Sequence, residues 1–127
     1  GNPVSCAAAL AVLDIFFEDG LLETARVLGE TLLEKFTALQ KQYEIIGDVR
    51  GKGPMLGLEL VQDRVTKEPA TQAAKKLVQL CYDKGLIILS CGTYGNVIRT
   101  LMPLVITPEE LDKGLSILEE SLKELES

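Results

Sequence analysis

Residues 47–60 read Gly47-Asp48-Val49-Arg50-Gly51-Lys52-Gly53-Pro54-Met55-Leu56-Gly57-Leu58-Glu59-Leu60. Glycines and a proline punctuate a short extended segment around Val49, after which Met55, Leu56, Leu58 and Leu60 carry the apolar run of a strand. The segment is glycine-rich and basic, as phosphate loops are. A Walker loop, however, needs Ser or Thr after its Lys and then a helix, whereas Gly53, Pro54 and a strand follow Lys52. Two readings stand: a tight turn between strands, or close approach of the backbone to a ligand.

Outward from this segment the periodicity changes. Toward the amino end, Leu21, Ala25, Leu28, Leu32, Phe36 and Leu39 recur three or four apart and predict a long amphipathic helix, with Arg26 and Glu30 able to pair on its outer face. Before it, Asn2 is a helix cap and Pro3 suits the first helical position, so a helix is expected over Pro3 to about Phe17, with Gly20 after it. Toward the carboxyl end, residues 62–69 are polar and read as a loop. A helix is expected from about Ala70 to Lys84, closed by Gly85, with Leu86 to Leu89 as a strand. Gly92 and Gly95 bracket a turn into a second extended run, Val97 to Met102, ended by Pro103. Thr107, Pro108 and Glu110 form the start signal of a last helix with the stripe Leu111, Leu115, Leu118, Leu122 and Leu125. This order predicts an α+β fold, a small mixed or antiparallel sheet covered on one face by helices.

A chain of 127 residues fits one hydrophobic core. With 13 basic against 19 acidic residues, a net charge of -6, and no clustering of Lys or Arg, nucleic-acid binding is not expected. There is no histidine, and Cys6, Cys81 and Cys91 form no CxxC pair, so no metal site is expected. The cysteines read as reduced thiols of a cytoplasmic protein, small apolar fillers of a core.

The first helix is apolar on every face. Val4, Cys6, Leu10, Val12, Leu13, Ile15, Phe16 and Phe17 stand among alanines, but Asp14 interrupts the run before the length of a membrane span, and no basic region precedes it. Helices of this kind are normally buried all round, so this one expects a neighbour, another domain or another subunit.

Arg99 is the other conspicuous residue, because it lies between Ile98 and Thr100 in an apolar extended segment, where a charge needs a partner. It either points to solvent or pairs with a local carboxylate, or it offers a planar two-bond fork to the carboxylate of a substrate.

Several runs carry a resemblance across essentially the whole chain: Gly1, Asn2, Pro3 leading into Cys6 to Leu10; Asp48 to Gly53 before Leu58 and Glu59; Lys84 to Ile87; and Leu89 to Gly92 followed by Asn96 to Arg99 and Leu101 to Leu104. Together they resemble class III pyridoxal-phosphate-dependent aminotransferases, in particular the bacterial 4-aminobutyrate type. The resemblance implies that residues 21–127 are the small C-terminal domain of a fold-type I enzyme and residues 1–20 a helix bridging to its large cofactor domain. It implies an enzyme that transfers the amino group of 4-aminobutyrate to 2-oxoglutarate, as a homodimer or dimer of dimers. The family's cofactor lysine, its acidic partner to the pyridine nitrogen and its ring-stacking residue would lie upstream of Gly1. No catalytic or cofactor-binding residue is therefore expected here, and these residues alone are not expected to bind pyridoxal phosphate or to be active. Gly1 and Asn2 match the turn just after the family residue that reaches the cofactor phosphate of the other subunit. Arg99 matches the family arginine that holds the substrate carboxylate. Alternatives are another class III ω-aminotransferase, such as one for 5-aminovalerate, and a stand-alone binding or dimerisation module.

Overall fold

The computed structural model describes residues 1–126. Helices α1 (Pro3–Glu18) and α2 (Leu21–Gln42) lead into a hairpin of β1 (Ile46–Lys52) and β2 (Met55–Leu60). Helix α3 (Thr71–Asp83), strands β3 (Leu89–Cys91) and β4 (Val97–Arg99) and helix α4 (Pro108–Leu125) follow. The four strands form one sheet in the order β1-β2-β4-β3, and every neighbouring pair is antiparallel. The architecture is the expected α+β class with an antiparallel sheet.

Alternation along β2 decides which face is covered. Leu56, Leu58 and Leu60 are buried while Met55 is exposed, and Leu58 lies opposite Ile98, itself buried. These residues and Ile46 meet Leu32, Phe36 and Leu39 of α2, Ala74, Leu77 and Cys81 of α3, and Leu118 and Leu122 of α4 in one core. The stripe read in α2 is thus the stripe that is buried. Its buried Gly29 is required by contact: a Cβ there would come within 2.4 Å of the Gly53 backbone, so the turn between β1 and β2 sits directly on α2. The glycine-rich stretch is a hairpin turn packed against a helix.

Three expectations are corrected. The strand expected over Leu86 to Leu89 lies at Leu89–Cys91. Gly85, at φ +89°, donates its N–H to Tyr82 O, and the Leu86 N–H bonds Cys81 O, so Leu86 is consumed in closing α3. The run expected from Val97 to Met102 is a strand only over Val97–Arg99: Thr100 still donates its N–H to Leu56 O, but its hydroxyl rather than its backbone oxygen takes the Leu56 N–H, and the regular ladder ends there. Of the cysteines, only Cys81 is a core filler; Cys6 is exposed and Cys91 is intermediate.

The amino-terminal helix forms as read, with the Asn2 side chain accepting from the Val4 N–H and Pro3 in the first turn, yet not one of its residues is buried. Val4 is 76% and Phe17 78% exposed, large values for such side chains. Among the described residues no helix is long and apolar enough to cross a membrane.

Candidate functional site: an unpartnered arginine on the open sheet face

Strand β4 is three residues long. Its central residue, Ile98, faces the helices, which puts Val97 and Arg99 on the opposite, open face. Directly across from Arg99 stand Gly57 on β2 and Leu89 on β3. A Cβ at Gly57 would come within 3.0 Å of Val97 Cγ1, so the glycine makes room for that side chain on this face.

The four arginines differ sharply in what they hold. Arg26 bonds Glu23 and Glu30 on the surface of α2. Arg50 reaches Asp48 Oδ2 at 2.6 Å and Glu59 Oε2 at 2.5 Å, and these two bonds raise its pKa above the usual arginine value. Arg64 donates to the backbone oxygens of Gln40, Tyr43 and Glu44, closing the carboxyl end of α2. The Arg99 side chain has no hydrogen-bond or ion-pair partner among the described residues, and its Nε is fully buried without an acceptor. A buried donor of a charged group left unpaired costs on the order of 1–3 kcal/mol or more, and a carboxylate oxygen removes that cost. The local-pairing reading of Arg99 therefore does not apply.

At the end of its strand Arg99 also borders an apolar cleft of about 300 Å³ on the helix-covered side, lined by Leu32 and Phe36 of α2 and Leu115 and Leu118 of α4. The other charged residue lining it, Glu110, spends its carboxylate on the Thr107 N–H and hydroxyl. These bonds from Thr107 hold its pKa below the ordinary glutamate value. A larger depression, about 720 Å³, lies beside Gln62 and Pro69 to Ala73; it shares no residue with the surroundings of Arg99 and holds no unpartnered buried polar atom.

Sequence reasoning singled out Arg99 and gave no role to the residues that flank its strand. Asn96 is buried, with its Nδ2 donating to Leu60 O at 2.8 Å, and the Thr100 hydroxyl accepts from the Leu56 N–H at 3.0 Å while donating to Pro54 O at 2.6 Å. The available signal was a polar residue at each end of a short apolar run.

Residues 1–122 match the family model described as aminotransferase class III, and the chain belongs to that family. It is 49% identical over 125 residues to the 5-aminovalerate aminotransferase DavT of Pseudomonas aeruginosa, covering 98% of this chain and 29% of that protein. It is 41% identical to the 4-aminobutyrate aminotransferase GabT of Escherichia coli, covering 98% of this chain and 29% of that one. Among solved structures, a Bacillus anthracis aminotransferase superposes with a TM-score of 0.88 at 35% identity, over 97% of this chain and 28% of that one. A phospholyase from Arthrobacter, in complex with phosphoethanolamine, superposes with a TM-score of 0.86 at 31% identity, over 95% of this chain and 29% of that one. The chain thus spans about 29% of the length of the curated relatives it matches.

The family implies pyridoxal phosphate, and the residues present do not build its site. Every lysine is solvent-exposed except Lys84, which is half-buried and bound to Glu124. No lysine is therefore desolvated and free to meet a cofactor aldehyde.

Proposed function

We propose that this chain is the carboxylate-binding part of a pyridoxal-phosphate-dependent transaminase, whose substrates are an ω-amino acid of the 4-aminobutyrate or 5-aminovalerate kind and 2-oxoglutarate. Arg99, alone among the arginines in having no side-chain acceptor among the described residues, carries the proposal. Each of these substrates bears a carboxylate at the end of a short methylene chain. A planar guanidinium meets that group with two parallel bonds, and the two bonds fix direction as well as distance. The cofactor, when bound, supplies the electron sink of amino transfer. Arg99 contributes orientation and moves no proton, since a guanidinium keeps its charge throughout the working pH range.

In this reading the exposed helix α1 is covered by the large cofactor domain of the same enzyme, and the enzyme is a cytoplasmic homodimer or dimer of dimers. The exposure of Val4, Leu10, Leu13 and Phe17 supports a neighbour of that size. The relatives' names support both ω-amino acids, and the carboxylate fork serves either chain length.

The test is Arg99→Lys in the full-length enzyme that contains this chain. Charge is kept and the fork is lost, so kcat/KM should fall about 10- to 100-fold for the ω-amino acid and for 2-oxoglutarate. The melting temperature should stay near that of the parent, because no protein group loses a partner. Unchanged kcat/KM for both substrates refutes the assignment. Assaying 4-aminobutyrate and 5-aminovalerate side by side decides between the two.

A further inference from the structure

The strand that carries Arg99 is ended in the same way on both sides. Val97, Ile98 and Arg99 pair with Glu59, Leu58 and Gly57, so the next positions in register are Asn96 opposite Leu60 and Thr100 opposite Leu56. In a regular antiparallel pair each of these couples would exchange two backbone bonds. Here each makes one of the two from the backbone, Leu60 N–H to Asn96 O at 2.8 Å and Thr100 N–H to Leu56 O at 2.9 Å. The other is made by a side chain, Asn96 Nδ2–H to Leu60 O at 2.8 Å and Leu56 N–H to Thr100 Oγ1 at 3.0 Å. The side chains complete the ladder while the backbone is released to turn away, into the Gly92–Gly95 turn on one side and toward Pro103 on the other. The Thr100 hydroxyl also donates to Pro54 O at 2.6 Å, which ties the strand end to the β1–β2 turn.

This matters because a slip of one residue would move Arg99 to the helix-covered face, and in a three-residue strand only Ile98, buried opposite Leu58, sets the register from the core side, which leaves the strand ends to fix the exact place of Arg99. We propose that Asn96 and Thr100 are positioning residues for substrate binding, two side-chain clamps that set where on the open face the Arg99 guanidinium stands. The inference rests on the assignment of Arg99 to the substrate carboxylate. Neither clamp touches the substrate; both act through the strand.

The experiment uses the full-length protein containing this chain and glutarate as a non-reacting dicarboxylate probe, with dissociation constants from calorimetry and melting temperatures in parallel. Thr100→Val keeps the shape of the side chain and removes the hydroxyl. It should weaken glutarate binding roughly three- to tenfold, the scale of one lost hydrogen bond, while Thr100→Ser stays within about twofold of the parent. In an Arg99→Lys background Thr100→Val should add less than about twofold, because a clamp acting through Arg99 has nothing left to position. A purely structural Thr100 gives another pattern, a lower melting temperature with the affinity of the folded protein unchanged or an equal loss in both backgrounds, and either result overturns the inference. If Thr100→Val does not fold, Thr100→Ala enters the same cycle. An Arg99→Lys variant that binds glutarate as tightly as the parent overturns the functional reading itself. A weakened Arg99→Lys variant with no coupling to Thr100 overturns only the clamp.

Discussion

Helices α1 and α4 are started by the same devices and end in opposite situations. Both have proline in the first turn and a side chain that accepts from a backbone N–H, Asn2 in α1 and Thr107 in α4. Both form. Yet Leu118 and Leu122 of α4 are buried, whereas α1, the more apolar of the two, buries nothing. The difference lies in arrangement. In α4 the leucines recur on one side, so a single neighbouring surface takes them all, and the acidic residues remain in water. In α1 apolar residues surround the axis, and no one surface of a small α+β fold can cover them. Caps and helix-forming residues specify that a helix exists; the angular distribution of its apolar side chains specifies what must lie against it.

The comparison is broken most severely by truncating one leucine from each helix. Leu122→Ala removes a fully buried side chain and should destabilise the chain by about 2–5 kcal/mol in denaturant unfolding, while Leu10→Ala in the exposed α1 should stay within about 0.5 kcal/mol. Equal losses would mean that α1 belongs to the cooperative core of this chain. Next in size is the seat of the hairpin on α2. Gly29→Ala places a Cβ against the Gly53 backbone and should cost about 1–3 kcal/mol. In α4, a Cβ at Gly114 meets only Leu86 Cδ1 at 3.6 Å, so Gly114→Ala should stabilise by up to about 1 kcal/mol through helix propensity.

The caps give a smaller contrast. Thr107→Ala should lower global stability by about 1 kcal/mol, whereas Asn2→Ala should reduce helical content at the amino end and leave the main unfolding transition in place. The capping box adds a pH dependence of known sign. The Thr107 bonds hold the Glu110 carboxyl below its ordinary value, so its contribution is present above that value and is lost as pH falls through the depressed one. The stability difference between the parent chain and Glu110→Gln should therefore be largest at neutral pH and shrink below about pH 4, measured by thermal unfolding at several pH values. The mildest probe leaves the fold intact: a thiol reagent at neutral pH should label Cys6 on α1 at once and Cys81 only on unfolding. Burial pushes the Cys81 thiol pKa up, and thiolate is the reactive form. Peptide mapping reads the order.

Much of this fold was legible in particular residues. The stripe Leu28, Leu32, Phe36 and Leu39 named the buried face of α2, and Thr107, Pro108 and Glu110 gave the start of α4 with its capping box. The strand errors share one cause. Leu86, Ile87 and Ile88 have the composition of a strand, but Leu86 closes α3 and Ile87 is 80% exposed, so neighbouring elements set the use of an apolar run. Leu101 and Met102 likewise continue an extended pattern but belong to no strand. At the candidate site the sequence marked Arg99 as a charge out of place, and the Asp48, Val49, Arg50 and Gly51 run as part of a family resemblance. It could not indicate that Arg50 is held by Asp48 and Glu59 while the buried Arg99 Nε has no acceptor among the described residues.

What the chain determined by itself was local and periodic: which segments are helices, where they start, which side of each is apolar, and that the hairpin around Gly53 turns tightly. Those properties follow from caps, side-chain spacing and backbone freedom within a few residues. Only the tertiary structure decided the strand order β1-β2-β4-β3, the contact of Gly29 with Gly53, and the isolation of the Arg99 guanidinium on the open face opposite Gly57. Each of these joins residues distant in sequence. Their free energy comes from a surface or an acceptor that another part of the chain supplies.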